Sequence, residues 1–221
     1  MVVLPPTRPR NPNRYVDVAK PTDPAAAWEV SRALEALGKN TVSKALKHVD
    51  ELEVKAVLDV TDLTPETVGR CLVGHDELQR LSKMRRITGR TVPEVCAAVI
   101  LCAMSVDAFR EDVERTLEIR HVYRNISGAS DYEEFCRALR DARVLPPREL
   151  AIAVTNFLKS HLGHVTSACR TALKRAAERK DLDAIRVMVK NVLEAREEIE
   201  KIKEVRELYC VNRGGEPPRE S

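Results

Sequence analysis

Cys71, His75 and Asp76 place a thiol, an imidazole and a carboxylate close together in the chain, the residue types of an activated nucleophile with its base and orienter. Groups this near in sequence rarely converge in that way, so no catalytic role is expected of them. His161, His164 and Cys169, like Cys71 with His75, have metal-ligand chemistry. A structural zinc site needs four such ligands at firm spacing, and Gly74 and Gly163 interrupt both groups. The paired carboxylates Glu133-Glu134 and Glu197-Glu198 stand among Lys and Arg and read as solvated surface. No dinucleotide fingerprint, Walker loop, zincin helix, nucleophile elbow or CxxC pair occurs. The expectation is a non-enzymatic protein with no catalytic residue, metal or cofactor.

Two basic runs remain. Arg80, Lys83, Arg85, Arg86 and Arg90 follow one another with no acid between Leu78 and Pro93, and Arg170, Lys174 and Arg175 continue into Arg179 and Lys180. Each run is an electrostatic footprint that could sit on phosphates. Neither is interleaved with aromatic residues, the usual companions of single-strand binding. Opening to one side, the two runs would form a groove; otherwise they are solubilising charge.

The elements that must position these residues read as helices. Asp23-Pro24, Thr64-Pro65, Thr91 with Glu94, and Ser130 with Glu133 have the form of helix starts, and Gly38, Gly74 and Gly163 that of stops. The spacing predicts helices over 24–37, 41–52, 54–61, 65–73, 76–87, 92–104, 106–123, 131–142, 148–162, 164–179 and 182–209. The segment Val95 to Met104 is apolar on every face and must be surrounded by other helices. In the last helix Ile185, Val189, Val192, Ile199, Ile202, Val205 and Leu208 form an apolar stripe. Its spacing tightens to three at the end, so no sustained heptad is present.

The expected fold is all-α: stacked antiparallel helices in one body or two lobes. An extended Pro/Arg-rich arm would occupy 1–23, an N-terminal lobe 24–124, a hinge 125–130, a C-terminal lobe with the long last helix 131–210, and a flexible tail 211–221. Six of the twelve prolines lie in the first 24 residues with Arg8, Arg10, Arg14 and Lys20, which marks the arm. An ungapped echo at an offset of 93 sets Lys44-Ala45-Leu46-Lys47 against Arg137-Ala138-Leu139-Arg140, the form an internal duplication would take.

Composition bounds the rest. The chain has 221 residues, 37 basic and 34 acidic side chains and a net charge of +3, too small for a wholly basic nucleic-acid binder. The apolar run Val95 to Val106 is shorter than the roughly 18 residues that span a bilayer, and Met1 to Leu4 is too brief for a signal-peptide core. Six cysteines are scattered singly, unlike a disulfide scaffold. Reduced core thiols and an intracellular location, cytoplasmic, nuclear or within a virion, are expected, without secretion or membrane insertion.

From Leu63-Thr64-Pro65-Glu66-Thr67-Val68 through Leu72, Glu77-Leu78 and Leu81 to Lys83-Met84-Arg85-Arg86-Ile87, the chain resembles the helical module at the N-terminus of elongation factor TFIIS and in the integrase-binding domain of the lens-epithelium-derived growth factor family. The resemblance covers Ala56 to Ala108 and rests on hydrophobic spacing and the Lys-Met-Arg-Arg-Ile run. It implies a compact helical bundle that docks short motifs of disordered transcription proteins. The tryptophan these modules carry near the end of the bundle is replaced by Ser105-Val106-Asp107-Ala108-Phe109, and no binding residue transfers.

These features together predict a helical interaction or structural subunit of a larger, nucleic-acid-containing assembly. Its partners would be other subunits or copies of itself, reached through the arm and the last helix, and RNA or DNA on the basic faces. A nucleocapsid or coat-type protein and a peptide-docking transcription module are the alternatives.

Overall fold

A computed structural model of the chain describes residues 13–213, with side chains through Glu204. Residues 1–12 of the expected arm, residues 214–221 of the expected tail and the side chain of Cys210 lie outside the described residues. Among the described residues the fold is mostly all-α, 74% helical, with one small sheet. It divides into two compact units, Met1–Leu117 and Glu118–Ser221.

In the N-terminal unit, strand β1 (Arg14–Pro21) pairs antiparallel with β2 (Leu63–Val73) from Arg14 opposite Val73 to Pro21 opposite Leu63. Helices α1 (Pro24–Leu37), α2 (Thr41–Ala45) and α3 (Glu51–Val60) lie between the two strands in sequence. After β2 come α4 (His75–Thr88) and α5 (Val92–Met104), and α6 (Asp107–Ser127) runs across the division between units. The sheet corrects two expectations. Arg14–Pro21 falls in the stretch read as an arm, yet Val16, Val18 and Ala19 are buried. Residues 65–73, read as a helix behind a Thr-Pro start, form β2, where Cys71 and Val73 alternate with a less buried Leu72. A proline is tolerated there because β2 has a partner on one side only.

The expected centre of the unit is where α5 sits. Its Val95 to Ile100 are fully buried, inside a core that takes Val18 from β1, Val30 from α1, Leu58 from α3 and Met84 from α4. Thr91 and Glu94 start α5 with a capping box, and Asp50 with Glu53 does the same for α3. The expected helix 41–52 is divided, because Asp50 caps a new helix five residues after α2 ends.

The C-terminal unit contains the end of α6, then α7 (Tyr132–Leu139), α8 (Pro147–Leu162), α9 (Ser167–Glu178) and α10 (Leu182–Arg213). Phe135 and Phe157 stack at 4.4 Å between ring centroids in a core that includes Ile126, Leu150, Leu173 and Ile185. The expected hinge at 125–130 and the lobes 24–124 and 131–210 differ from this division. Asn125, Ile126 and Ser127 are the last turn of α6, with Ile126 fully buried, and the boundary falls inside that helix. The expected helix 131–142 ends at Leu139 and is followed by a 3₁₀ turn over Ala142–Val144.

No single helix among the described residues is long and apolar enough to cross a membrane. Helices α4 and α5 pass such a test only together, across a 101° bend.

Candidate functional site

The structure divides the first basic run by what each side chain touches. Arg80 donates from Nη1 to the Leu46 carbonyl at 2.7 Å and from Nη2 to the Val49 carbonyl at 3.2 Å, satisfying acceptors left open beyond the end of α2. Arg90 donates to the Leu58 carbonyl at 3.3 Å in the last turn of α3 and to Glu94 Oε1 at 3.4 Å. Lys83 pairs with Glu51 at 2.9 Å. Arg85 and Arg86 are exposed and carry no side-chain partner among the described residues. Five cations that look alike in sequence are therefore two structural clamps, one ion pair and two free charges.

The second run belongs to a cleft. On α9, Arg170, Lys174 and Glu178 recur every four residues and line one wall; on α8, Arg148, Ile152, Thr155 and Lys159 repeat at three and four and line the other. Ala151 and the Pro146-Pro147 pair complete an apolar floor, and Ile152 is 42% exposed there. The cleft has a volume of about 660 Å³, and its α8 wall from residue 148 to 159 runs for about 16 Å. Four cations face one carboxylate, Glu178, which lies 3.9 Å from Lys174. That excess, 4 − 1 = +3, equals the net charge of the whole chain. Arg175 is exposed on α9 and does not line the cleft.

Sequence reasoning reached Arg170 and Lys174 but missed Arg148 and Lys159. Their spacing on one helical face was the available signal, diluted by the apolar residues between them.

Local chemistry explains why the walls hold their places. Pro147 occupies the first turn of α8, where a missing N–H costs nothing. Thr166 caps α9 by accepting from the Cys169 N–H at 3.2 Å. Lys180, with φ of 55°, turns the chain from α9 towards α10, and its Nζ donates to the Arg143 carbonyl at 3.0 Å and to the Leu145 carbonyl. That tie holds the stretch leading into Pro146.

A second cleft in this unit, about 510 Å³, has walls of mixed sign, with Asp131, Glu194 and Glu197 against Lys190 and Arg196. No ligand charge is selected there.

The nucleophile and metal candidates have different settings. Cys71 lies in β2, and burial pushes its thiol above the ordinary value, with a backbone hydrogen bond at Val42 acting the other way. His75 is exposed and sits 2.9 Å from Gln79. His161 is held by backbone, with Nδ1 at 2.9 Å from the Phe157 carbonyl and Nε2 at 3.1 Å from the Ser130 carbonyl. Cys96 and Cys102 are buried, and burial raises both thiols. No cluster of three metal-ligating side chains occurs among the described residues.

No protein-family model matches the chain, and neither a curated protein nor a solved structure matches it. The reading of the α8–α9 cleft rests on its own chemistry.

Proposed function

We propose that this protein is a non-enzymatic helical subunit that holds single-stranded nucleic acid in the α8–α9 cleft as part of a larger assembly. The observation that carries the reading is the line of Arg148, Lys159, Arg170 and Lys174 above an apolar floor, with a single carboxylate among them. Cations at the rim suit phosphates of any sequence, while Ile152 and the two prolines offer a surface on which sugars and base faces can lie. Arg85 and Arg86 provide a smaller footprint on the N-terminal unit. A coat-type protein uses the same chemistry, repeated along a genome.

The apolar floor also favours a second reading, in which an acidic amphipathic segment of another protein docks there. The lack of aromatic platforms in the cleft lends this reading weight.

Titration of mixed-sequence single-stranded RNA and DNA between about 50 and 200 mM salt separates the two. Nucleic-acid binding is expected to weaken steeply with salt, and Arg170→Glu with Lys174→Glu should flatten the log–log slope by about 0.7 per lost contact. Both residues are exposed, so the double variant should melt like the parent. Absence of any salt-sensitive binding near 50 mM overturns the nucleic-acid reading and leaves the peptide-docking one.

A further inference from the structure

Helix α10 outruns the unit it belongs to. Ile185 and Val189 are buried, and Val192 and Leu193 pack partly against the core. From Glu194 to Glu204 every residue is exposed, and the helix continues to Arg213. Its 32 residues correspond to about 48 Å. An extension with no packed side draws its stability only from propensity and local ion pairs. Here such pairs include Lys190 with Glu194 and Lys203 with Glu200.

The exposed part nevertheless carries a seam. Ala195, Ile199 and Ile202, with the half-buried Val192 before them, follow one another at spacings of three, four and three, the a/d pattern of a coiled coil over two heptads, beyond which the spacing tightens. Ile199 is 53% and Ile202 61% exposed. Val189 and Leu193, which meet the core lower on the helix, fall at e and b of this pattern, so the seam lies to one side of the packed face and shares only Val192 with it.

We infer that this seam is covered by the same seam of a second copy of the chain, in a parallel coiled coil. Charge selects both the partner and its direction. With Val192 at a, Glu198 falls at g and Lys203 at the following e. In a parallel pair each Glu198 faces the Lys203 of the other copy, twice per dimer. In an antiparallel pair Glu198 faces Glu198, which is repulsive. Glu194, Glu197, Glu200, Lys201 and Glu204 occupy the outer positions, where they remain in water. Lys203 exchanges an exposed intrahelical partner, Glu200 at 3.0 Å, for Glu198 of the other copy. The inference does not depend on the nucleic-acid reading of the α8–α9 cleft.

The mass of the full chain in solution, by light scattering or sedimentation over a concentration series without nucleic acid, tests it. The mass of two copies is expected at high concentration, falling to one with Ile199→Asp and Ile202→Asp while the melting transition is unchanged. Glu198→Lys alone should weaken association about tenfold, since two attractive pairs become repulsive. Adding Lys203→Glu to that chain should restore it, because the parallel pairs re-form with signs exchanged. A monomer at every concentration overturns the inference. So does association that ignores the Ile199 and Ile202 substitutions, or a Glu198→Lys defect that Lys203→Glu does not repair.

Discussion

Arginines at 80 and 85 have the same charge and the same helix, yet only one is part of the fold. The Arg80 guanidinium spans two carbonyl oxygens beyond the end of α2, and it is only partly exposed. Truncation would leave both acceptors without their charged donor, an effect of about 1–3 kcal/mol. Arg85 and Arg86 touch nothing that a substitution would orphan, and exposed charges contribute little to stability. Urea unfolding should therefore show a lowered midpoint for Arg80→Ala and an unchanged one for Arg85→Ala with Arg86→Ala. The distinction also governs binding experiments. Charge reversal across all five residues of the first run would mix lost phosphate contacts with lost structure, whereas Arg85, Arg86, Arg170 and Lys174 are reporters of contact alone.

At the level of the element, most helix starts were legible to within a residue, those of α3 and α9 only to within three (51 against 54, 167 against 164), and strands were not. The Thr91–Glu94 box marks α5 as expected. The start of α7 is displaced by one: Asp131 is the cap, accepting from the Glu134 N–H at 2.8 Å, and Glu134 Oε2 accepts from the Ser130 N–H at 2.7 Å. Strand β1 was hidden by the prolines around it. Its period-2 pattern, Tyr15-Val16-Asp17-Val18, was present but only four residues long before Ala19 and an irregular register. Strand β2 was hidden by Thr64-Pro65, which has the chemistry of a helix start. Its burial comes from pairing with a segment more than forty residues away, which no local pattern records. The α8–α9 cleft was half legible for the same reason: each wall is a helical periodicity, but their apposition is tertiary.

The α7 cap makes a pH prediction. The Glu134 backbone N–H is the main reason the Asp131 carboxyl is held below its ordinary value, and the Ser130 backbone and hydroxyl do the same for Glu134. A depressed folded pKa contributes stability above the unfolded value, about 3.9 for Asp and 4.3 for Glu. That contribution is lost as pH falls through the lower folded value. Asp131→Asn keeps an acceptor for the cap and removes the charge. Its stability deficit relative to the parent should be largest near neutral pH and shrink as the parent's carboxylate protonates below about pH 4. Chemical unfolding of both proteins across that range reads the difference, and a deficit that grows on acidification would refute the assignment.

The whole molecule is two cores joined by one chain. Val99 and Ile100 anchor the first, Phe135 and Phe157 the second, and α6 supplies Phe109 and Val113 to one and Val122 and Ile126 to the other. The buried side chains of the described residues fall into two clusters, so a cavity made in one removes contacts from that one. Phe157→Ala deletes a ring stacked at 4.4 Å on Phe135 and fully buried, a change that costs about 3–5 kcal/mol. Native-state hydrogen exchange resolves where that cost falls, because amides report the free energy of the opening that exposes them. In the Phe157→Ala protein, amides of α8 should exchange on the order of a hundredfold faster or more, as a loss of that size implies at 1.4 kcal/mol per factor of ten. Amides of α5 should keep their protection if the cores open separately, and should accelerate by the same factor if they open only together.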